Sequence, residues 1–288
     1  MRYLLTACLL LAGFFAFSQD DLLKELEEST PKTNDLTLAT FSGTRIVNGH
    51  SVETRNRNVL EFIITHRFGT INSGAYEAFG LDNSVVRLGL EYGITDRLMV
   101  GIGRTSSDKT FDYFAKYKVL RQSETMPVTL TAFGSAAYLG LKNEELNELS
   151  TPDKMAYTTQ LLIARKLSSR ISLQLSPSYL YRPVVNQDTT VNNLISLGMG
   201  GRFKITKSFA LVLEYYLRLN DHSDSPYNDA IGVGLEFETG GHVFQLVFTN
   251  SQGMVERQFM AETTGDFFDG DIHFGFNITR AFQLGRKK

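Results

Sequence analysis

From Val59 to the end of the chain, apolar side chains alternate with polar or small ones at period two, segment after segment. Phe209, Leu211, Leu213, Tyr215, Leu217 and Leu219 share one parity, and Ala210, Val212, Glu214, Tyr216 and Arg218 share the other. Residues 171–182 repeat the pattern, with Ile171, Leu173, Leu175, Tyr179 and Tyr181 set against Ser172, Gln174, Ser176, Ser178 and Arg182. Alternation at 180° per residue is the signature of a strand with two unlike faces, and it is incompatible with an amphipathic helix. A tilted strand needs about 9–11 residues to cross a bilayer, which these segments supply. In 209–219 both charges lie on the second parity, so that face is expected to line a lumen and the other to meet lipid.

The pattern predicts strands near 59–67, 84–92, 98–104, 109–119, 127–138, 155–165, 171–182, 193–203, 209–219, 228–237, 243–249 and 271–281. Short connectors alternate with longer polar ones along the whole chain. Only an up-and-down meander makes that natural, because outer-membrane barrels have short periplasmic turns and long outer loops. Two short hairpins also resemble each other, Gly93-Ile94-Thr95-Asp96-Arg97-Leu98 and Lys204-Ile205-Thr206-Lys207-Ser208-Phe209. The expected fold is an all-β, antiparallel, up-and-down transmembrane β-barrel of about twelve strands over residues 58–288. The rival is a soluble sandwich or lipocalin-like barrel. Against it, the second parity is polar but small, with Gly89, Gly198, Gly200, Gly232, Gly234 and Gly275, as suits a lumen. Pro177 is a misfit inside 171–182, since it removes a ladder donor; a bulge, or a strand running past the bilayer, is expected there.

Composition narrows the class. The 288 residues carry 29 Lys and Arg against 31 Asp and Glu, a net charge of −2, which gives no basic footprint for nucleic acid. Tyr and Phe are abundant (12 and 21) and Trp is absent, so Tyr takes the place of Trp in any interfacial girdle. At the N-terminus, Met1-Arg2, an apolar run from Tyr3 to Phe17 and the small residues Ala16 and Ser18 form a cleaved signal peptide over 1–18. Its export implies the cell outer membrane. Cys8, the single cysteine, lies within that peptide, so disulfides are not expected. Residues 19–57 divide into an acidic, helix-prone periplasmic leader ending near Pro31 and a segment, Thr44 to His50, that reads either as a short strand or as chain folded into the lumen.

Four stretches carry a resemblance: Thr44-Arg45-Ile46-Val47-Asn48-Gly49-His50, Leu90-Glu91-Tyr92-Gly93-Ile94-Thr95-Asp96-Arg97-Leu98, Glu238-Thr239-Gly240-Gly241-His242-Val243-Phe244-Gln245-Leu246, and Thr264-Gly265-Asp266-Phe267-Phe268-Asp269-Gly270-Asp271-Ile272. Together they resemble the β-barrel family known as domain of unknown function 5777, over roughly residue 40 to the end. The resemblance implies an outer-membrane barrel and brings neither an activity nor site residues with it.

Motifs for chemistry are sparse. His50, His66, His222, His242 and His273 are scattered, without the spacing of a metal site. His66 and His273 fall in the first and last strands and would approach each other at the barrel seam if both pointed inward. Asp266, Asp269 and Asp271 around Gly270 are candidate calcium ligands, although their spacing is not that of an EF-hand loop. Gly101-Ile102-Gly103 lies in a strand with no helix after it and is not a nucleotide fingerprint. Glu61, Arg67, Asp112, Lys118 and Arg202 can be phased inward or to strand ends, as can the lumen-facing candidates Arg87, Glu91, Lys116, Glu214, Arg218, Glu236 and His273. Their mixed signs suit interlocking ion pairs in a narrow lumen. No cofactor is expected. The expected partners are outer-membrane lipid and an envelope protein held by the long loops. The function that follows is an outer-membrane barrel of structural or transport type, a narrow pore or an anchor. A membrane-embedded barrel enzyme acting on lipid or envelope substrates is the alternative, and no Ser–His motif supports it.

Overall fold

A computed structural model describes residues 36–142, 148–185 and 188–285. The signal peptide over 1–18 and the acidic leader up to residue 35 lie outside the described residues. Twelve antiparallel strands close into one barrel in sequence order, the last pairing with the first. They are β1 (Val59–Thr70), β2 (Ser84–Gly93), β3 (Leu98–Thr105), β4 (Phe111–Leu120), β5 (Thr129–Tyr138) and β6 (Met155–Lys166). The second half comprises β7 (Ile171–Tyr181), β8 (Asn193–Lys204), β9 (Phe209–Arg218), β10 (Ala230–Thr239), β11 (His242–Thr249) and β12 (His273–Gln283). The barrel has the strand number and the meander expected from the alternation, and closure leaves no unpaired edge.

The two parities separate as inside and outside. On β9, Ala210, Val212, Glu214 and Tyr216 are buried within the barrel, whereas Leu213 is 48% exposed on its outer wall. On β7 the alternation is unbroken from Ile171 outside to Tyr181 outside. The short turns repeat one device. Thr95 Oγ1 accepts from the backbone N–H of Arg97 and Leu98, at 3.2 and 2.9 Å. Thr206 Oγ1 accepts likewise from Ser208 and Phe209, and Ser168 Oγ from Arg170 and Ile171. A hydroxyl that bonds the backbone two and three residues on mimics a backbone turn. This is the physical content of the likeness between the short hairpins.

Two expectations are corrected here. Pro177 causes no bulge: the β6–β7 register is the same on both sides of it, with Gln160 opposite Ser178 and Ile163 opposite Leu175. The β6 ladder simply skips the pairs in between, while Pro177 stays opposite Leu197 on β8. The imino acid faces outward, and the strand keeps its register at the loss of local pairing. His66 and His273 do not meet either. His66 lies on the outer parity, stacked against Phe276 at 5.0 Å, while His273 points inward and its Nδ1 lies 2.8 Å from the Phe68 carbonyl oxygen. Parity decides this outcome, because register places His66 opposite Phe276 and not opposite His273.

Candidate functional site

The lumen is filled by chain. Residues 40–54, ahead of β1, run inside the barrel, and nearly all of them are buried. Arg45 bridges to His50, Ile46 N–H donates to the Gly49 carbonyl and Ser51 N–H to the Thr44 carbonyl, so the segment is a tight hairpin. It enters from the end of the short turns: Thr37 N–H donates to the Gln122 carbonyl, and Lys166 Nζ to the carbonyls of Leu38 and Ala39.

A buried backbone must have its polar groups paired. Here the inward side chains of the barrel supply the partners. The Glu214 carboxylate accepts from the N–H groups of Val47, Asn48 and Gly49 at 2.9–3.1 Å. Lys116 Nζ donates to the carbonyls of Thr44, Ser51 and Glu53 at 2.7, 3.0 and 3.3 Å. Gln245 Nε2 serves the Ile46 carbonyl, Asn277 Nδ2 the Val47 carbonyl, and Thr131 Oγ1 the Val52 carbonyl. Gln174 binds both ways, donating to the His50 carbonyl and accepting from Val52 N–H, each at 2.8 Å. Arg67 holds the tip side chain, donating to Asn48 Oδ1 at 2.8 Å. Shape completes the socket. A Cβ on Gly200 would lie 2.3 Å from Ile46 Cδ1, and one on Gly232 would lie 2.8 Å from Val47 Cγ1, so these inward glycines make room for the hairpin tip.

The opposite end is closed by the connector between β11 and β12. It carries a one-and-a-half-turn helix, α1 (Glu256–Ala261), whose Phe259, Met260 and Ala261 are buried against Leu180, Leu194, Tyr216 and Ala230. Long connectors were expected to project, and this one folds inward instead, because its apolar Phe259-Met260-Ala261 run finds an apolar ring inside the barrel mouth. The two inserted segments meet where His50 Nε2 lies 3.4 Å from Glu256 Oε1. The His50 ring sits between Phe114 and Phe133, with centroids 4.5 and 4.4 Å away. Burial, then the cations Arg45, Lys116 and Arg87, push His50 well below the ordinary imidazole range. Burial raises the Glu256 carboxyl.

The sequence candidates take different places in this arrangement. Glu214 and Lys116 hold the hairpin. Arg87 forms a bidentate pair with Asp112 at 2.9 and 2.5 Å. Glu91 is buried, with Arg45 Nε 3.9 Å away. Glu236 pairs with Arg202 Nε at 2.7 Å and accepts from Gln245 at 3.0 Å. Arg218 lies at the loop end against Asp221 and Asp229. His273 lines a polar vestibule of about 370 Å³ at that end, together with Gln252, Gln258 and Asp271. A second vestibule of about 400 Å³, lined by Ser42, Arg55, Glu61, Lys207 and Glu238 among others, lies at the turn end.

The calcium candidates do not assemble. The Asp271 carboxylate is taken up by the loop, accepting from Asn72 Nδ2 at 2.6 Å and from Asp266 N–H at 3.1 Å, bonds that hold it below the usual carboxylate range. Asp266 accepts from Phe268 N–H and Asp269 is exposed. Among the described residues, no group of three or more His, Cys, Asp or Glu is placed to hold a metal. Gln174, Gln245, Asn277 and Thr131 were not singled out from the sequence. Their signal is a neutral hydrogen-bonding side chain on the inward parity, which is weaker than a charge.

A family model described as a membrane bound beta barrel domain (DUF5777) matches residues 41–282, and the chain belongs to that family. The matched span includes the hairpin as well as the barrel. No curated protein matches significantly in sequence. Among solved structures, the KdgM porin is similar with a TM-score of 0.49 and 11% identity, covering 77% of this chain and 99% of that one. An outer membrane channel from Pseudomonas putida F1 gives 0.48 and 12%, covering 82% and 100%. The Acinetobacter baumannii outer membrane protein Omp33 gives 0.43 and 8%, covering 78% and 98%.

Proposed function

We propose that this membrane-bound barrel is an outer-membrane protein of channel type whose lumen is stoppered by its own N-terminal hairpin, exported by the signal peptide over 1–18. The observation that carries the reading is how the hairpin is held. Its backbone is bound by the side chains Glu214, Lys116, Gln174, Gln245, Asn277 and Thr131, and it adds no strand to the closed ladder. Such a segment can leave without breaking one barrel hydrogen bond, and it would uncover a lumen of mixed charge. An added strand, or a hairpin fused into the sheet, would not have this property.

The test is conductance in a planar bilayer. The full chain is expected to conduct weakly and in brief bursts. A variant lacking both residues 42–52 and the segment 254–262 that closes the loop end, checked for barrel formation by heat-modifiable migration, is expected to conduct steadily. A folded deletion variant that conducts no better than the full chain would refute the channel reading and leave a structural barrel.

A further inference from the structure

The outer wall carries a groove of about 730 Å³ that neither the hairpin nor the lumen explains. Two registered rows of outward residues build it. In one, Leu173, Gly201, Leu213 and Val233 lie side by side across β7 to β10. In the next, Met199, Tyr215 and Ile231 follow across β8 to β10. Gly201 is the cause of the depression. Every other member of its row carries a branched side chain, and Gly201 leaves a gap between Leu173 and Leu213, which are 50% and 48% exposed. Phe267 and Phe268, from the β11–β12 connector, wall the groove at the loop end, Phe268 being 86% exposed.

Only that end is polar. Tyr215 Oη donates to Asp229 Oδ2 at 2.6 Å, and Asn228, Asn250 and Asp266 line the same rim. Arg218 is the cation beside it, and it is shared between Asp221 and Asp229. Of the two rim carboxylates, Asp229 is paired with Arg218, whereas the Asp266 carboxylate has no ion-pair partner among the described residues, which leaves the rim with an excess of negative charge.

We infer that this groove binds one lipid of the surrounding bilayer, its acyl chain laid along the Gly201 depression and an ammonium-bearing head at the Asp229–Asp266 rim. The groove belongs to the lipid-facing parity, so the bilayer is the phase that covers it. Its volume falls within the roughly 300–1,000 Å³ typical of ligand clefts. An apolar trough with a polar group at one end fits an amphiphile. The excess of carboxylates selects a head that carries a positive charge and disfavours an anionic one.

The test uses the full chain in lipid nanodiscs, with spin-labelled phosphatidylethanolamine or phosphatidylglycerol as probe and native mass spectrometry after detergent exchange. The wild type is expected to retain one phosphatidylethanolamine per barrel and to show an immobilised spin-label component. Gly201→Phe fills the trough. A Cβ at this position meets only Leu173 Cδ2, at an ordinary 3.6 Å, so the barrel tolerates it. Phe268→Ser removes the exposed wall and gives a second reading should Gly201→Phe fold poorly. Both are expected to lower retention at least fivefold, while Leu90→Phe, on the outer wall of β2, leaves it unchanged. Equal retention by wild type and both variants would overturn the groove. Preferential retention of phosphatidylglycerol, or of an anionic lipid A, would overturn the assignment of the head.

Discussion

Glu214→Gln is the sharpest perturbation of the stopper. The carboxylate satisfies three consecutive N–H groups at the hairpin tip. An amide has the same shape but only one accepting oxygen, and it turns an N–H₂ toward donors. At least one bond to a charged acceptor is lost, and each is worth about 1.5–3 kcal/mol. A tenfold change in an equilibrium takes about 1.4 kcal/mol, so the population with the hairpin undocked should rise roughly 10- to 150-fold. The barrel should be spared, because β9 keeps its backbone pairing with Gly200 and Gly232. Hydrogen exchange read by mass spectrometry is the assay. A peptide covering residues 44–52 should exchange faster by that factor, and one covering 172–180 should not change. Unaltered exchange in the hairpin peptide would refute the claim that Glu214 anchors it. Acceleration of both peptides would mean that the hairpin and the barrel open together and that the stopper is not separable.

Further outcomes follow from the same structure. Leu213→Arg, on the outer wall, should cost roughly 2–4 kcal/mol in refolding into lipid vesicles, and Leu219→Arg, just past the end of β9, close to zero; equal costs would refute the depth dependence expected of a lipid-facing wall. An epitope tag at 222–224, in the exposed β9–β10 loop, should be reachable on intact cells, whereas one at Thr95 or Thr206 should not; the reverse would invert the barrel. Acid should loosen the stopper through His50. The docked imidazole is held neutral well below its ordinary range, so the undocked state takes up a proton near pH 6.5 that the docked state refuses. Docking is then full above about pH 6.5 and weakens below it, by at most about 1.4 kcal/mol per pH unit. Glu256 contributes with the opposite sign, since burial raises it and its share is lost as pH rises through the docked value. Comparing wild type with His50→Gln, with exchange corrected for its intrinsic pH dependence, isolates the histidine; an identical slope in both would remove it as the cause.

Much of this protein was determined by local sequence. Period-two alternation sets which side chains face each way, and one face of the strand cannot be slipped by a residue without turning Leu211, Leu213 and Tyr215 inward and Glu214 out. The number of strands, their bounds to within about three residues, the placing of charge inside and the hydroxyl-capped turns at Thr95 and Thr206 all follow from such short-range pattern. What occupies the lumen does not. The hairpin at 40–54 has no periodicity of its own, and its sequence allowed a strand as readily as a stopper. Its fate depends on partners more than a hundred residues away, at Gln174, Glu214, Gln245 and Asn277, and on the absence of side chains at Gly200 and Gly232. The β11–β12 connector is decided the same way, by an apolar ring that exists only once β7, β8, β9 and β10 stand together. Parity is a property of neighbouring residues, whereas complementarity between an inserted segment and its socket exists only after the barrel has closed.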